Sequence, residues 1–303
     1  MDMHQKRKIR AKNKEIDNQE SFSKVSISWF PGHMAKAIRE IKEKLNLVDM
    51  VIELTDARAP FSSINPIVKE LSANKYYLKV LSKIDLADDR QSNLFKKYYD
   101  ENNIPCVFVN LNNKDSIKPI ANKIKEVAKP IIDKDIKRGL KPRNIRVMVI
   151  GIPNVGKSTL INLLTNRKSA LVGNKPGFTK GQKWVHGEGF DLLDTPGILW
   201  PNLSSNNVGV KLALIGCIKE DILPTLSLVK IALDFLKENY YDLLLEKYHI
   251  EYNDFDSYME QFAIEKKHLL KNNEVDILRS ASLILNDLKN GRIGKITVDR
   301  LEE

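Results

Sequence analysis

The stretch Gly151-Ile-Pro-Asn-Val-Gly-Lys-Ser158 decides the fold that this chain can adopt. It follows residues 145–150, a largely apolar run typical of a buried strand, and it precedes residues 159–164, whose apolar spacing suits a helix. The spacing G-x4-G-K-S between a strand and a helix is that of a phosphate-binding P-loop. Its glycines permit turns that a Cβ would obstruct, and backbone N–H groups at the helix N-terminus then face an anion. The stretch therefore predicts a nucleotide phosphate site in an α/β domain.

The side chains of this loop have distinct expected tasks. Lys157 can reach the β- and γ-phosphates, and the Ser158 hydroxyl can occupy one coordination position of Mg²⁺. Contacts to the phosphates are expected from Asn154, Val155, Gly156, Lys157, Ser158 and Thr159. A chance match to the P-loop pattern is the alternative, and the segments that follow the loop weigh against it.

Two later segments match the needs of Mg²⁺ and a γ-phosphate. Residues 171–182 are rich in Gly and Pro and hold one suitably placed hydroxyl, Thr179, as a switch loop that closes on Mg²⁺ requires. A predicted strand then ends in Asp194-Thr-Pro-Gly197, with Asp194 36 residues after Ser158. Asp194 suits a second position in the Mg²⁺ shell, and the Gly197 N–H can contact the γ-phosphate. Together with the P-loop, these segments predict a nucleotide site that uses Mg²⁺.

A separate loop predicts that the base is guanine. Ser82-Lys-Ile-Asp-Leu86 follows a predicted strand at 76–81 and resembles the N-K-x-D loop of guanine-nucleotide proteins. Asp85 can accept from guanine N1–H and N2–H2 as a bidentate pair, while the methylenes of Lys83 cover the ring. Adenine lacks this pair of donors, so the loop disfavours a P-loop ATPase.

Ser82 and the end of the next predicted strand complete the expected guanine site. Ser82 stands where the N-K-x-D loop has Asn, and it is expected to brace the loop with fewer hydrogen bonds and to weaken nucleotide affinity. The predicted strand at 104–109 ends at Asn110 and Leu111, whose backbone is expected to lie over the base. The predicted guanine-binding set is Ser82, Lys83, Asp85, Asn110 and Leu111.

The charge of the chain indicates an anionic partner. The net charge is +10 and the pI is about 9.3. Residues 1–205 hold 36 Lys and Arg against 22 acidic residues, whereas 206–303 hold 13 against 17. Nucleic acid is the commonest partner of a basic surface, although basic residues that only keep a protein soluble are the alternative.

Cysteine content and hydropathy indicate a cytoplasmic protein. Cys106 and Cys217 are too few for a disulfide framework or a zinc site, which favours a reducing compartment. No apolar run approaches the roughly 18 residues of a membrane span, and the basic N-terminus lacks the apolar core of a signal peptide. We therefore expect no membrane partner.

The order of the motifs reverses that of ordinary small GTPases, in which the P-loop comes first. Here the base loop precedes the P-loop by about seventy residues, as happens when the old termini are joined and the chain is opened elsewhere. Such a circular permutation makes the segment after Asp194-Thr-Pro-Gly197 run directly into the C-terminal part. Nucleotide state is therefore expected to bias the position of that part.

Composition, motifs and apolar spacing together predict three parts of the chain. After residue 206 the apolar spacing becomes helical, with predicted helices at 207–220, 224–240, 254–271 and 274–290. The predicted parts are a basic flexible tail (1–24), an α/β circularly permuted P-loop GTPase domain (25–205) and an all-α C-terminal domain (206–303).

Three quoted stretches, taken in order, match one family. They are Trp29-Phe-Pro-Gly-His-Met-Ala-Lys36, Asp56-Ala-Arg-Ala-Pro-Phe-Ser-Ser-Ile-Asn-Pro66 and Gly151-Ile-Pro-Asn-Val-Gly-Lys-Ser-Thr-Leu-Ile-Asn162. Over about residues 25–300 the chain resembles the circularly permuted GTPases of the ribosome biogenesis GTPase A family. The resemblance implies a GTPase that binds GTP and GDP and acts late in assembly of the large ribosomal subunit. It also implies that the helical domain contacts ribosomal RNA, and we expect a monomer.

The group that would activate water is not part of the P-loop motifs. Many GTPases place a glutamine after D-x-x-G to orient the attacking water, but Ile198 stands there and an alkyl side chain cannot do so. The resemblance implies that His33 is catalytic, and an imidazole suits this task near pH 7. The alternative is that His33 only caps the helix that begins near Met34. The resemblance also implies that Asn154 binds K⁺, whereas an ordinary hydrogen bond within the loop is the alternative.

Two functions remain open from the sequence alone. One is a ribosome-activated GTPase, and the other is an RNA-binding guanine-nucleotide sensor with incidental hydrolysis, in which Ser82 and Ile198 would be signs of decay. Asp56 and Arg58 are also open, since capping and ion pairing explain them as well as catalysis does.

Overall fold

The computed structural model describes residues 32–141, 143–165, 183–187, 189–195, 197–199, 207–218, 224–271 and 273–302. The tail 1–24 and Thr179 lie outside these ranges. In chain order the longer elements are α1 (Gly32–Lys44), β1 (Met50–Asp56), α2 (Pro66–Ser72), β2 (Tyr76–Ser82), α3 (Asp89–Glu101), β3 (Cys106–Phe108), α4 (Ile117–Lys137), β4 (Ile145–Gly151), α5 (Lys157–Thr165), β5 (Lys183–His186), β6 (Phe190–Asp194), α6 (Val208–Leu214), α7 (Thr225–Asn239), α8 (Tyr241–Tyr248), α9 (Phe255–Glu265) and α10 (Ile277–Lys289). Within the described ranges, no helix has the length and apolar character needed to cross a bilayer.

The strands form one sheet in the order β3-β2-β1-β4-β6-β5, and only the β5–β6 pair is antiparallel. Strand β1 is buried along its whole length, as expected for a central parallel strand covered on both faces. Its register pairs Asp56 with Ser82 of β2 and Leu54 with Gly151 of β4. Because β2, β1 and β4 are parallel, the base loop after β2 and the P-loop after β4 open at the same sheet edge, two strands apart. This arrangement confirms the predicted α/β, circularly permuted fold.

Helices cover both faces of the sheet. On one face, Ile41 of α1 and Leu45, just after that helix, belong to one apolar cluster with Val51, Met148 and Leu193. Alternate residues of the same strands point to the other face and pack against α4 and α5, because successive side chains of a strand point to opposite sides. The sheet therefore positions its carboxyl edge between two helical layers.

The C-terminal part is helical, as predicted, and its apolar core is continuous with the core under α4 and α5. The expected helix at 207–220 ends earlier, at Leu214, because Gly216 adopts a left-handed φ of +75°. The expected helix at 254–271 also ends early, and Leu269 forms a bridge with Val275. Helix α8 was not predicted; it begins one residue after α7 ends, with only Tyr240 between them.

Residues 291–302, here called the return segment, lead from α10 back to the GTPase part. The Val298 N–H donates to the Arg58 carbonyl at 2.7 Å, and the Ile296 N–H donates to the Leu86 carbonyl at 3.0 Å. The return segment thus contacts both the D-A-R stretch and the base loop. The helical part is therefore held to the GTPase part by its C-terminal residues as well as by the covalent link that precedes α6.

Asp299 should be the residue of the return segment whose loss costs most. Its buried carboxylate accepts from Phe61 N–H (2.8 Å), Ser62 N–H (2.6 Å) and Lys211 Nζ (2.9 Å). We expect Asp299→Ala to lower the free energy of unfolding in urea by about 2–4 kcal/mol, since several charged hydrogen bonds are lost. Glu302→Ala, at an exposed position of the same segment, should change it by less than about 0.5 kcal/mol. Equal effects of the two variants would contradict this role of Asp299.

Candidate functional site

The P-loop connects β4 to α5 in a conformation that its residue types require. A Cβ at Gly151 would overlap the Leu54 carbonyl oxygen of the neighbouring strand. Gly156 has a φ of +98° and Asn154 a φ of +60°, both in the left-handed region that Gly and Asn tolerate best. The loop therefore turns its backbone toward the N-terminus of α5, where an anion is favoured.

Lys157 and Asp194 are the buried charged residues beside the P-loop. Lys157 Nζ donates to the Ile152 carbonyl at 2.8 Å, and burial lowers the pKa of Lys157 to about 8 against the attraction of Asp194. Burial raises the pKa of Asp194 to about 6, although the charge of Lys157 opposes this shift. Among the described residues, Asp194 Oδ1 has no hydrogen-bond partner. A buried lysine and an orphaned carboxylate oxygen fit a phosphate and a divalent cation, respectively.

The end of β6 is held close to the P-loop. A Cβ at Gly197 would lie 2.9 Å from Pro153 Cα and 3.0 Å from Lys157 Nζ, so only glycine fits this approach. The Ile198 side chain is fully buried, and Asn65 Nδ2 donates to the Ile198 carbonyl at 3.0 Å. Ile198 therefore points into the core, away from any water that attacks a phosphate.

Ser82 braces the base loop from two sides. Its hydroxyl lies 2.7 Å from the Val155 carbonyl in the P-loop and 3.0 Å from the Thr55 carbonyl in β1. A hydroxyl has one proton and can donate to one of these carbonyls at a time. Ser82 thus joins the base loop to the P-loop, with less bonding capacity than an asparagine amide would have.

Asp56 and Arg58 form a buried ion pair that sequence reasoning left open. Arg58 donates from Nε (3.0 Å) and Nη2 (2.8 Å) to the Asp56 carboxylate. Lys83 Nζ lies 2.9 Å from the same carboxylate. Burial acts to raise the pKa of Asp56, but the charges of Arg58 and Lys83 hold it well below its usual range. The remaining donors of Arg58 reach the Lys289 and Ile215 carbonyls, both at 2.8 Å, so the pair has a structural role.

A cavity of about 450 Å³ lies between the base loop, the P-loop and the helical part. Its lining includes nine of the predicted nucleotide-binding residues: Ser82, Lys83, Asp85, Asn110, Leu111, Asn154, Val155, Gly156 and Thr159. These residues come from three separate segments that the sheet brings to one edge. The cavity has the place and the polar groups that a nucleoside would need.

The structure does not describe the side chains of two predicted site residues, His33 and Thr179. His33 belongs to the first turn of α1, but its side chain lies outside what the structure describes. Thr179 also lies outside the described residues.

Sequence reasoning missed the contact between Asp56 and Lys83, although the adjacent ends of β1 and β2 would have suggested it.

Comparisons with known proteins agree with this geometry. The family model described as 50S ribosome-binding GTPase matches residues 146–274. A Bacillus cereus protein named Ribosome biogenesis GTPase A is 40% identical, over 91% of this chain and 95% of that protein. A Thermotoga maritima protein of the same name is 32% identical, over 91% of this chain and 95% of that protein.

Two solved structures of YlqF from T. maritima are also similar. The GNP-bound structure has a TM-score of 0.63 and 27% identity, covering 88% of this chain and 98% of that one. The GDP-bound structure has a TM-score of 0.64 and 26% identity, covering 88% of this chain and all of that one.

Asp194 should reduce the stability of the protein when nucleotide and metal are absent. Its pKa in the folded protein is about 6, above the ordinary 3.8, so its ionisation costs stability as the pH rises from 4 to 6. We expect the free energy of unfolding of Asp194→Asn, measured in urea at pH 7.5, to exceed that of wild type by up to about 3 kcal/mol. The difference should shrink toward zero near pH 4.

Asp191→Asn on the same strand provides the matched control. Burial acts to raise the pKa of Asp191, but hydrogen bonds from Asn144 and His186 lower it overall. This ionised carboxylate therefore stabilises the fold above its ordinary pKa, and the control variant should be less stable than wild type at pH 7.5. An Asp194→Asn protein that is also less stable at pH 7.5 would contradict the cost assigned to Asp194.

Proposed function

The chain belongs to the ribosome biogenesis GTPase A family, and from this we propose that it hydrolyses GTP during late maturation of the large (50S) ribosomal subunit, stimulated by that subunit. The observation that carries the proposal is the convergence of the base loop, the P-loop and Asp194 at one sheet edge. The family model's description as a 50S ribosome-binding GTPase supports the choice of partner. The protein would act in the cytoplasm as a monomer.

The helical part, proposed as a ribosome- and RNA-binding domain spanning 206–303, presents a basic surface near the start of α10. Its exposed basic side chains there are Lys266, Lys267, Lys271 and Arg279. Phosphate backbones bind such surfaces through Lys and Arg. Contact with ribosomal RNA through these side chains would not disturb the contacts of the return segment or the lining of the cavity. The GTPase domain proposed alongside it spans 25–205, after a basic tail at 1–24.

The proposed site would hold Mg²⁺ with Ser158, Thr179 and Asp194. When bound, the ion would neutralise charge on the β- and γ-phosphate oxygens. Lys157 would leave the Ile152 carbonyl for the phosphates, and the N–H of Gly197 would donate to the γ-phosphate. A potassium ion beside Asn154 is a further part of the proposal, and comparing turnover in K⁺ and Na⁺ buffers tests it.

His33 is proposed to orient or deprotonate the attacking water. Because Ile198 is buried, the residue after D-T-P-G cannot do this. Helix α1 carries His33 in its first turn, and its Ile41 belongs to the same apolar cluster as Ile198. The helix of His33 and the residue after D-T-P-G therefore lie on the same face of the sheet.

Asp85→Asn should change the base preference. The variant loses the bidentate pair to guanine N1–H and N2–H2, so calorimetry should show GDP binding weakened about 100-fold or more. Xanthine has a carbonyl where guanine has its amino group, so the new amide should bind xanthosine diphosphate better than wild type does. Asp89→Asn, an exposed carboxylate that pairs with Lys295 outside the cavity, should leave GDP affinity unchanged. Unaltered base preference in Asp85→Asn would refute the proposed guanine site.

Phosphate release from GTP, with and without large subunits, tests the function itself. We expect strong stimulation in wild type and a loss of about 100-fold in His33→Ala, the usual size of a general-base effect. His186→Ala is the control, because His186 is exposed at the end of β5 remote from Asp194. Stimulation that survives in His33→Ala would remove His33 from the mechanism. Absence of stimulation in wild type would favour the alternative, an RNA-binding guanine-nucleotide sensor.

A further inference from the structure

We propose that the end of α10 and the turn after α6 complete the guanosine pocket, so that the helical part of the chain binds the nucleoside directly. The inference rests on the proposed guanine site. It assigns Asn286 and Asn290 as additional residues that determine nucleotide affinity.

The cavity at the base loop is lined by the helical part as well as by the GTPase part. Asn286, Lys289 and Asn290 from the end of α10 face it, together with Ile215 and Gly216 after α6. Asn286 and Asn290 have exposed side chains one helical turn apart. A nucleoside that reaches Asp85 from the P-loop must pass through this shared cavity.

The chemistry of the α10 end suits a nucleoside better than a phosphate. The C-terminus of a helix carries partial negative charge on its last carbonyls, which disfavours phosphates and favours hydrogen-bond donors. Asn290 Nδ2 donates to the Asn286 carbonyl (2.7 Å) and to Asn286 Oδ1 (2.6 Å), which sets the orientation of both amides. The amide oxygen of Asn290 is then an acceptor for ribose hydroxyls or the amino group of guanine. The phosphates would bind at the opposite kind of helix end, the N-terminus of α5.

Hydrogen bonds from Arg58 and from the P-loop hold the end of α10 and the turn after α6 at the cavity. Arg58, only 3% exposed, donates at 2.8 Å to the carbonyls of Lys289 and of Ile215. Asn154 of the P-loop donates to the Gly216 carbonyl at 3.1 Å. Since Arg58 also binds Asp56, which binds Lys83, the base loop and the α10 end share one network. Nucleoside binding and the position of the helical part should therefore be linked reciprocally.

Calorimetry with GDP and GTP tests the direct contact. We expect Asn286→Ala and Asn290→Ala each to weaken binding roughly three- to tenfold, the usual effect of one neutral hydrogen bond. The factor should be the same for both nucleotides, because the contact is to the nucleoside. Ser282→Ala, exposed on α10 one turn earlier and outside the cavity lining, should bind as wild type does. Asn286→Ala keeps Asn290, the C-cap residue of α10, and the Asn286 carbonyl to which Asn290 donates.

Asp85→Asn separates a failure of this inference from a failure of the proposed site. If Asp85→Asn weakens GDP binding but both α10 variants bind normally, the inference is overturned and the guanine site stands. If all three bind normally, both are overturned. Hydrogen exchange provides a second test, since GDP should slow exchange at amides 286–291 and 215–217. Protection confined to the base loop and the P-loop would also overturn the inference.

Discussion

The structure depends on one buried carboxylate, that of Asp56. An unpaired charge at a fully buried position would cost several kcal/mol, so the surrounding chain must supply partners. Arg58 supplies a two-point interaction and Lys83 supplies a second cation. The same guanidinium extends to carbonyls of the helical part. The base loop, the D-A-R stretch and the C-terminal helices thus meet around a single charge, and none of them can shift without disturbing the other two.

The phosphate end of the site shows the opposite balance. There the charges of Lys157 and Asp194 are buried without full compensation, and both pKa values move toward the neutral forms. Such groups lower the stability of the protein without ligands, and the proposed phosphates and cation would pair their charges. Functional sites commonly accept this cost, because interactions reserved for the ligand cannot also stabilise the free fold. The two parts of the proposed site are therefore built differently: the charges beside the base loop are paired, whereas those of Lys157 and Asp194 are only partly compensated.

Circular permutation places the helical part of the chain directly after the segment that follows β6. The chain order alone suggests coupling through the segment after D-T-P-G. The structure adds direct contacts to the P-loop, through Asn154 and Gly216, and to the base loop, through the return segment. Binding energy from a nucleotide can therefore bias the helices through packed contacts as well as through the covalent link.

The sequence by itself determined the features that depend on local conformation. The P-loop, the base loop and the strands before them follow from residue types at short spacing, and the order of the two loops led directly to the permuted sheet. Helix ends in the C-terminal part were less predictable, because single turn residues set them, as Gly216 does after α6 with its left-handed φ. Only the tertiary structure decided the partners of Arg58, which lie 157 and 231 residues away. Contacts at such separations depend on how whole elements pack, and no local pattern records them. The same reason explains why the sequence could predict the base loop and the P-loop as candidate site segments, whereas it did not predict that the end of α10 lines the same cavity.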